Sequence, residues 1–169
     1  MSHADKRHKK SYTKSSKPAN QGRIEHLLMN ARFSTAVHIL TLLASTPGER
    51  MTSEIIAASV GTNPVVIRRQ LALLREAGLV ESRGARHGGW ELTRDPAKIT
   101  LKQVRAALGT ESAFRMHRNE PHPKCVVGQH VRSVLEDVYA DAEQSVMKSL
   151  QRQTIAGLLK RVRDVAAAG

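Results

Sequence analysis

The sequence predicts a mostly α-helical fold with one short β-hairpin. Three observations indicate this class. Apolar residues recur at three- and four-residue spacing in several separate segments, which is the period of a helix. The pair Asn63-Pro64 is suited to begin a helix, and Gly78 to end it. Two extended segments joined through Gly88-Gly89 follow directly, so the predicted unit is a winged helix-turn-helix.

Residues 1–23 are predicted to form a disordered basic tail. They hold seven lysines and arginines against Asp5 alone, which gives half of the net charge of +12. Without an apolar run, this segment is neither a secretion signal nor a membrane anchor, and its polar content cannot bury enough surface to fold. Such a tail either attracts DNA nonspecifically or keeps the protein soluble, and the sequence leaves both roles open.

The first two helices are marked by apolar spacing and by turn residues. Ile24–Ala44 is predicted to be the first core helix, which a proline-glycine pair ends. A second, short helix is predicted to begin after a cap at Thr52 or Ser53 and to extend to Ser59. Its predicted buried side chains are Ile55, Ile56 and Val60. Gly61-Thr62 supplies the turn into the next helix.

The third helix is predicted to have one apolar face and one basic face. Its apolar stripe consists of Ile67, Leu71, Leu74 and Ala77. Arg68, Arg69 and Arg75 lie mostly off that stripe. In a helix-turn-helix the second helix of the pair enters the major groove of DNA. We therefore expect the basic face to meet DNA.

Six residues are candidate DNA contacts. They are Asn63, Arg68, Arg69, Arg83, Arg86 and His87. The helix arginines suit guanine or phosphate, whereas the wing residues suit the backbone or a narrow minor groove. Solvated helix arginines, a mobile charged hairpin and, for Asn63, a simple helix cap are the alternative interpretations. Aromatic residues make up only 3% of the chain, which argues against a base-stacking single-strand reader and favours double-stranded DNA.

The segment after the wing is predicted to close the domain and then to supply a dimer interface. Thr100 caps a short helix, Leu101–Leu108, so the winged helix-turn-helix domain spans 24–109. Residues 110–124 form a loop or hinge, and 125–165 hold a long helix and a short C-terminal helix ending at Val162. The long helix has an apolar stripe that a small core cannot cover, which favours a homodimer. The predicted interface residues are Val131, Val134, Leu135, Val138, Ala142 and Val146.

These segments resemble a known family, the bacterial winged-helix repressors that include IscR, NsrR, CymR and BadM. The resemblance rests on LREAGLV at 74–80, GGWEL at 88–92 and ITLKQV at 99–104, and it extends over 28–162. It implies a dimeric transcription regulator in which the third helix enters the major groove and the wing reaches the backbone or minor groove. It also implies that the long C-terminal helix crosses the dimer.

Cys125 is the only cysteine of the chain. An intrachain disulfide is therefore impossible, and a reducing cytoplasm is the expected compartment. One branch of the family binds an iron–sulfur cluster through three cysteines, so this chain resembles the cluster-free, single-cysteine branch, and no cofactor is expected. Because Cys125 lies where a helix begins, beside Lys124, its thiol is either a reactive sensor or a structural residue. The nearby histidines fit no standard zinc spacing, and no metal site is predicted.

The predicted function is regulation of transcription by a homodimer in the cytoplasm. The protein is expected to be a repressor that binds a pseudo-palindromic operator and responds to thiol oxidation or electrophiles, without a membrane partner. Two alternatives are a winged-helix module for protein assembly and a metal- or cluster-dependent sensor. The sequence lacks a phosphate-binding loop, paired carboxylates and a nucleophile elbow, so an enzyme is not predicted.

Overall fold

The computed structural model describes residues 21–84, 88–109, 112, 114–117 and 119–169. Their helices and strands are α1 (Gln21–Ser45), α2 (Ser53–Val60), α3 (Pro64–Glu76), β1 (Val80–Arg83), β2 (Gly89–Leu92), α4 (Leu101–Ala107), α5 (Val126–Arg152) and α6 (Ile155–Ala168). A single turn of 3₁₀-helix, Pro96–Lys98, precedes α4. The predicted class, mostly helical with a small β-wing, is confirmed. Among the helices so described, none is both long enough and apolar enough to cross a membrane.

One hydrophobic core joins α1, α2, α3, α4, the hairpin and the start of α6. Its fully buried large side chains include Ile39, Leu40, Ile56, Ile67, Leu71, Leu74, Ile99, Val104 and Ile155. Trp90 on β2 is partly buried and packs against this core from the wing side. The helix-turn-helix is therefore fixed to α1 behind it and to the hairpin beside it.

Capping residues and glycines set the helix ends as the sequence predicts. Thr52 accepts a hydrogen bond from the N–H of Ile55, and Asn63 accepts one from the N–H of Val65. Thr100 forms a capping box with Gln103 at the start of α4. Gly78 ends the third helix in the left-handed region, at φ 65°.

Several local predictions were wrong. Ile55 is 53% exposed, because so short a helix buries one narrow side and Ile56 occupies it. Ala77 is exposed, because it is already the C-cap of α3. The last three residues of the predicted tail, 21–23, belong to α1, which begins at Gln21. Residues 1–20 lie outside the described residues. The last helix continues beyond Val162 to Ala168.

The wing is an antiparallel pair of strands. Val80 lies opposite Leu92, and Arg83 lies opposite Gly89. An isolated bridge adds a third segment, because Met51 and Trp90 exchange backbone hydrogen bonds of 3.2 and 2.9 Å. A Cβ on Gly89 would lie 2.9 Å from the Cβ of Arg50, so this close approach requires glycine at position 89. The bridge fixes the wing to the segment that leads into α2.

The chain leaves the core along α5 and returns to it along α6. Leu101 donates its N–H to the carbonyl of Gln153 at 2.9 Å, and Ile155 donates to Ile99 at 2.9 Å. These bonds fix the α5–α6 junction against the segment that leads into α4. From there α6 packs along α1, with Ile155 fully buried. The sequence grouped α6 with the long helix, but its packing joins it to the winged-helix core.

Candidate nucleic-acid interface

Helix α3 is packed on one side only. Ile67, Gln70, Leu71 and Leu74 are buried against the rest of the protein. The opposite side carries Val65, Arg69 and Glu76, all exposed to solvent and spaced by four and seven residues. The predicted packed face is therefore present, whereas the open face, which was predicted to be basic, carries an apolar and an acidic residue beside Arg69 and begins at the first turn of the helix.

The two candidate arginines of α3 differ in their surroundings. Arg68 donates a hydrogen bond from Nη2 to Oε1 of Glu54 on α2, at 2.5 Å. A backbone hydrogen bond to this carboxylate, together with those from Arg68 and Thr52, lowers the pKa of Glu54. By contrast, Arg69 is exposed and has no hydrogen-bond or ion-pair partner among the described residues. Arg68 is thus held against α2, whereas Arg69 extends from the open face.

Asn63 is a helix cap in this structure. Its Oδ1 accepts a hydrogen bond from the N–H of Val65 at 2.8 Å, which satisfies one of the free donors at the helix start. This leaves the side-chain amide nitrogen at the exposed end of α3. The capping interpretation is therefore realised, and the amide group retains donors that face solvent.

Part of the predicted wing contact lies outside the described residues. Arg86 and His87 belong to that part, and of Arg83 only the backbone is described. At the base of the hairpin, Nε of Arg50 donates to Oε1 of Glu91 at 3.3 Å, which adds a side-chain link to the Met51–Trp90 bridge. The strands that lead to the wing tip are thus anchored beside α2.

Two apolar residues on the open face of α3 were not among the sequence candidates. Val65 is 49% exposed and Val66 is 42% exposed, both in the first turn of the helix. The signal was available, because neither residue belongs to the 67, 71, 74 stripe. Charged and polar side chains are the usual candidates for DNA contact, and these two valines are apolar.

The long helix α5 has a contact face and an open apolar stripe. On the contact face, Glu143 forms an ion pair with the nearly buried Arg105 of α4. Tyr139 stacks on Phe114, with ring centroids 5.2 Å apart. On the open stripe, Val134 is 59% exposed and Val138 is 54% exposed. The other predicted interface residues, Val131, Leu135, Ala142 and Val146, are half-buried.

Cys125 is the N-cap of α5 and is exposed. Its Sγ accepts a hydrogen bond from the N–H of Gly128 at 3.3 Å. The neighbouring N–H of Lys124 donates to Nδ1 of His122 at 3.2 Å. A Cβ on Gly128 would lie 2.9 Å from the Cβ of Pro121, so glycine lets the preceding loop pack closely over the helix start.

A helix-turn-helix with an anchored hairpin, and with a recognition-type helix open on one face, defines a winged-helix DNA-binding fold. The chain belongs to the Rrf2 family: the family model described as Rrf2, iron-dependent transcriptional regulator, matches residues 29–161. The family resemblance expected from the sequence is thereby confirmed. The members to which it is related are transcriptional regulators and not enzymes.

Individual relatives agree with this assignment. YwnA of Bacillus subtilis (strain 168), named as an HTH-type transcriptional regulator, is 39% identical over 138 residues, which cover 81% of this chain and 98% of YwnA. A protein described as DNA-binding, whose crystal structure is known, is 34% identical in sequence. Its structure matches with a TM-score of 0.62, and the match covers 76% of this chain and 98% of that protein's chain. The T. potens IscR structure, 23% identical with a TM-score of 0.62, covers 79% of this chain and 87% of its own and supports the fold.

The family description mentions iron, but the residues of this chain do not suit an iron–sulfur cluster. Such clusters are ordinarily held by several cysteine thiolates, and the chain has one cysteine. That thiol already caps α5 through Gly128. Within the described part of the chain, no group of three or more histidine, cysteine or acidic side chains is arranged to hold a metal ion. The side chains of this chain therefore do not suit an iron–sulfur cluster.

Proposed function

We propose that this Rrf2-family regulator is a homodimeric repressor that binds a pseudo-palindromic operator in double-stranded DNA. The observation that carries the proposal is the open face of α3, where Arg69 extends without a partner among the described residues. A guanidinium group on the outer side of a recognition helix has the geometry to bind O6 and N7 of guanine. The cytoplasm, where bacterial DNA lies, is the compartment that this function requires.

The six candidate residues have different proposed roles. Arg69 is the proposed base-reading residue, and Arg68 is a proposed phosphate contact that its ion pair with Glu54 of α2 holds back from DNA. Asn63 is first a cap, and its amide nitrogen is available to an adenine edge or a phosphate. Arg83, Arg86 and His87 remain proposed backbone or minor-groove contacts of the wing.

Operator selection from random duplex DNA tests this proposal. We expect purified protein to enrich two related half-sites about one or two helical turns apart, because a two-fold dimer presents two α3 helices. Arg69→Ala should weaken binding of that operator by about 1 to 3 kcal/mol and relax preference at one base pair. The matched control is Arg163→Ala, which removes the same side chain from an exposed position on α6. Binding that prefers no sequence would contradict the proposal.

The proposed dimer uses the open stripe of α5. Its six residues are Val131, Val134, Leu135, Val138, Ala142 and Val146. The exposure of apolar side chains beside a face that already contacts α4 supports a second chain at this position. Sedimentation equilibrium of the full chain should give twice the monomer mass at micromolar concentration.

A redox function of Cys125 is the finer part of the proposal. Its support is the exposed thiol at the junction between the loop and α5, where a bulky modification would disturb the hydrogen bond that Sγ accepts from Gly128. Cys125→Ser retains a capping side chain, so operator binding should persist while release by peroxide or a quinone-type electrophile is lost. An identical response of the wild type and Cys125→Ser would leave Cys125 a structural residue.

A further inference from the structure

The start of α3 places two branched apolar side chains side by side in solvent. Val65 is 49% exposed and Val66 is 42% exposed, and both lie in the first turn of the helix. In a helix-turn-helix, residues near the N-terminus of the recognition helix are those that reach base edges.

Arg69 lies next to both valines on the helix surface. It is four residues after Val65 and three after Val66, a spacing that puts Cβ atoms about 5 to 6 Å apart. The first two turns of the open face therefore combine a small apolar patch with a cation. Such a pair suits a major-groove edge, where an apolar methyl group and guanine acceptors occur on neighbouring base pairs.

Thymine is the base with an apolar group on its major-groove edge, its C5-methyl. We propose that Val65 and Val66 recognise thymine by this methyl group, beside the base pair that Arg69 contacts. This inference rests on the proposed function, because it requires α3 to enter the major groove. It adds a chemical requirement to the operator: a thymine at a fixed position in each half-site.

Deoxyuridine substitution tests the methyl contact directly, because deoxyuridine differs from thymidine only by that methyl group. Each thymine of the selected operator is replaced in turn, in both half-sites together, and affinity is measured for the full-length dimer. We expect one or two positions at which wild-type binding falls by about fourfold per half-site, the change that corresponds to burial of one methyl-sized group. At the other thymines the substitution should have no effect.

A double-mutant cycle assigns the methyl contact to its side chain. Val65→Ala or Val66→Ala should weaken binding of the thymine operator, and deoxyuridine at the sensitive position should then cause no further loss. Ile55→Ala is the matched control, because it removes an exposed apolar side chain from α2, and its sensitivity to deoxyuridine should equal that of the wild type. Thermal unfolding by circular dichroism checks that all variants are folded.

Failure of the inference is distinguishable from failure of the proposed function. If an operator is selected and Arg69→Ala weakens it, but deoxyuridine has no effect anywhere, the thymine contact is wrong and the operator function stands. A deoxyuridine effect that persists in both valine variants overturns the assignment to Val65 and Val66. If no operator is selected and the valine variants lose a protein partner instead, both proposals fail and the exposed face serves assembly.

Discussion

The winged-helix core and the long helix α5 use apolar residues in opposite ways. In the core, Leu71 and Ile67 of α3 are fully buried within the single chain. On α5, whose residues are all described, no side chain is buried, and Val138 is among the most exposed apolar residues. Both segments have helical apolar spacing, so periodicity alone does not distinguish a helix that its own chain covers from one that needs a partner. The core is covered within one chain, whereas α5 leaves apolar side chains exposed that we propose a second chain covers.

The largest expected effect comes from placing a charge on the open stripe of α5. Val138→Asp would bury an unpaired carboxylate at the proposed interface, which costs about 3 to 5 kcal/mol. We expect monomers or aggregates in sedimentation velocity, with poor operator affinity. The matched control is Ser133→Asp, which adds the same charge to an exposed position of α5 off the stripe. A Val138→Asp variant that remains a dimer would contradict the proposed interface.

The next largest effect is expected for a substitution in the winged-helix core. Leu71→Ala removes a fully buried side chain from α3 and should lower the free energy of unfolding by about 3 kcal/mol. Val134→Ala, on the open stripe, should instead weaken the dimer and shift the unfolding midpoint in a way that depends on protein concentration. Urea unfolding at two protein concentrations separates the two responses. If the unfolding midpoints of both variants depend equally on protein concentration, the core and the stripe of α5 do not differ in their need for a second chain.

A smaller effect is expected where the two regions meet. Arg105 of α4 contacts both Glu143 and the sulfur of Met147 on α5, and its side chain is only 10% exposed. Arg105→Met preserves most of the packing but removes the guanidinium group, so the unfolding free energy should fall by about 2 kcal/mol. If this junction fixes the position of the second subunit relative to the winged-helix core, operator affinity should fall more than the loss of stability explains. Measuring that affinity at a temperature well below the midpoint of thermal unfolding, where the variant is folded, checks this.

Helices, caps and hairpin were predictable because their signals are local. Asn63, Gly78 and Thr100 each act on residues within one turn, so spacing in the sequence suffices to predict their roles. The Arg68–Glu54 pair was not predictable, because the two residues are 14 positions apart on different helices and meet only at one angle between α2 and α3. The same holds for the Met51–Trp90 bridge. Exposure was harder to predict from local signals, since Ile55 was expected to be buried and is 53% exposed.

The smallest expected effect concerns the carboxylate that holds Arg68. Because the pKa of Glu54 is lowered in the folded protein, its contribution to stability is present above the ordinary value of 4.5 and is lost as pH falls through the lowered folded value. At neutral pH the pair is therefore intact, and Arg68 is directed toward α2. Glu54→Gln should release Arg68 toward DNA phosphates and remove a negative charge from the same surface.

The salt dependence of operator binding measures that release. One additional phosphate contact per subunit should steepen the slope of log affinity against log salt by about 0.9 for each subunit. Glu136→Gln is the matched control, since it neutralises an exposed glutamate on α5, and its slope should equal that of the wild type. An unchanged slope in Glu54→Gln would mean that Arg68 already contacts DNA while paired. The ion pair would then position Arg68 for binding DNA. A contact within one chain would fix this side chain, just as the core fixes α3, whereas the stripe of α5 is proposed to depend on a second chain.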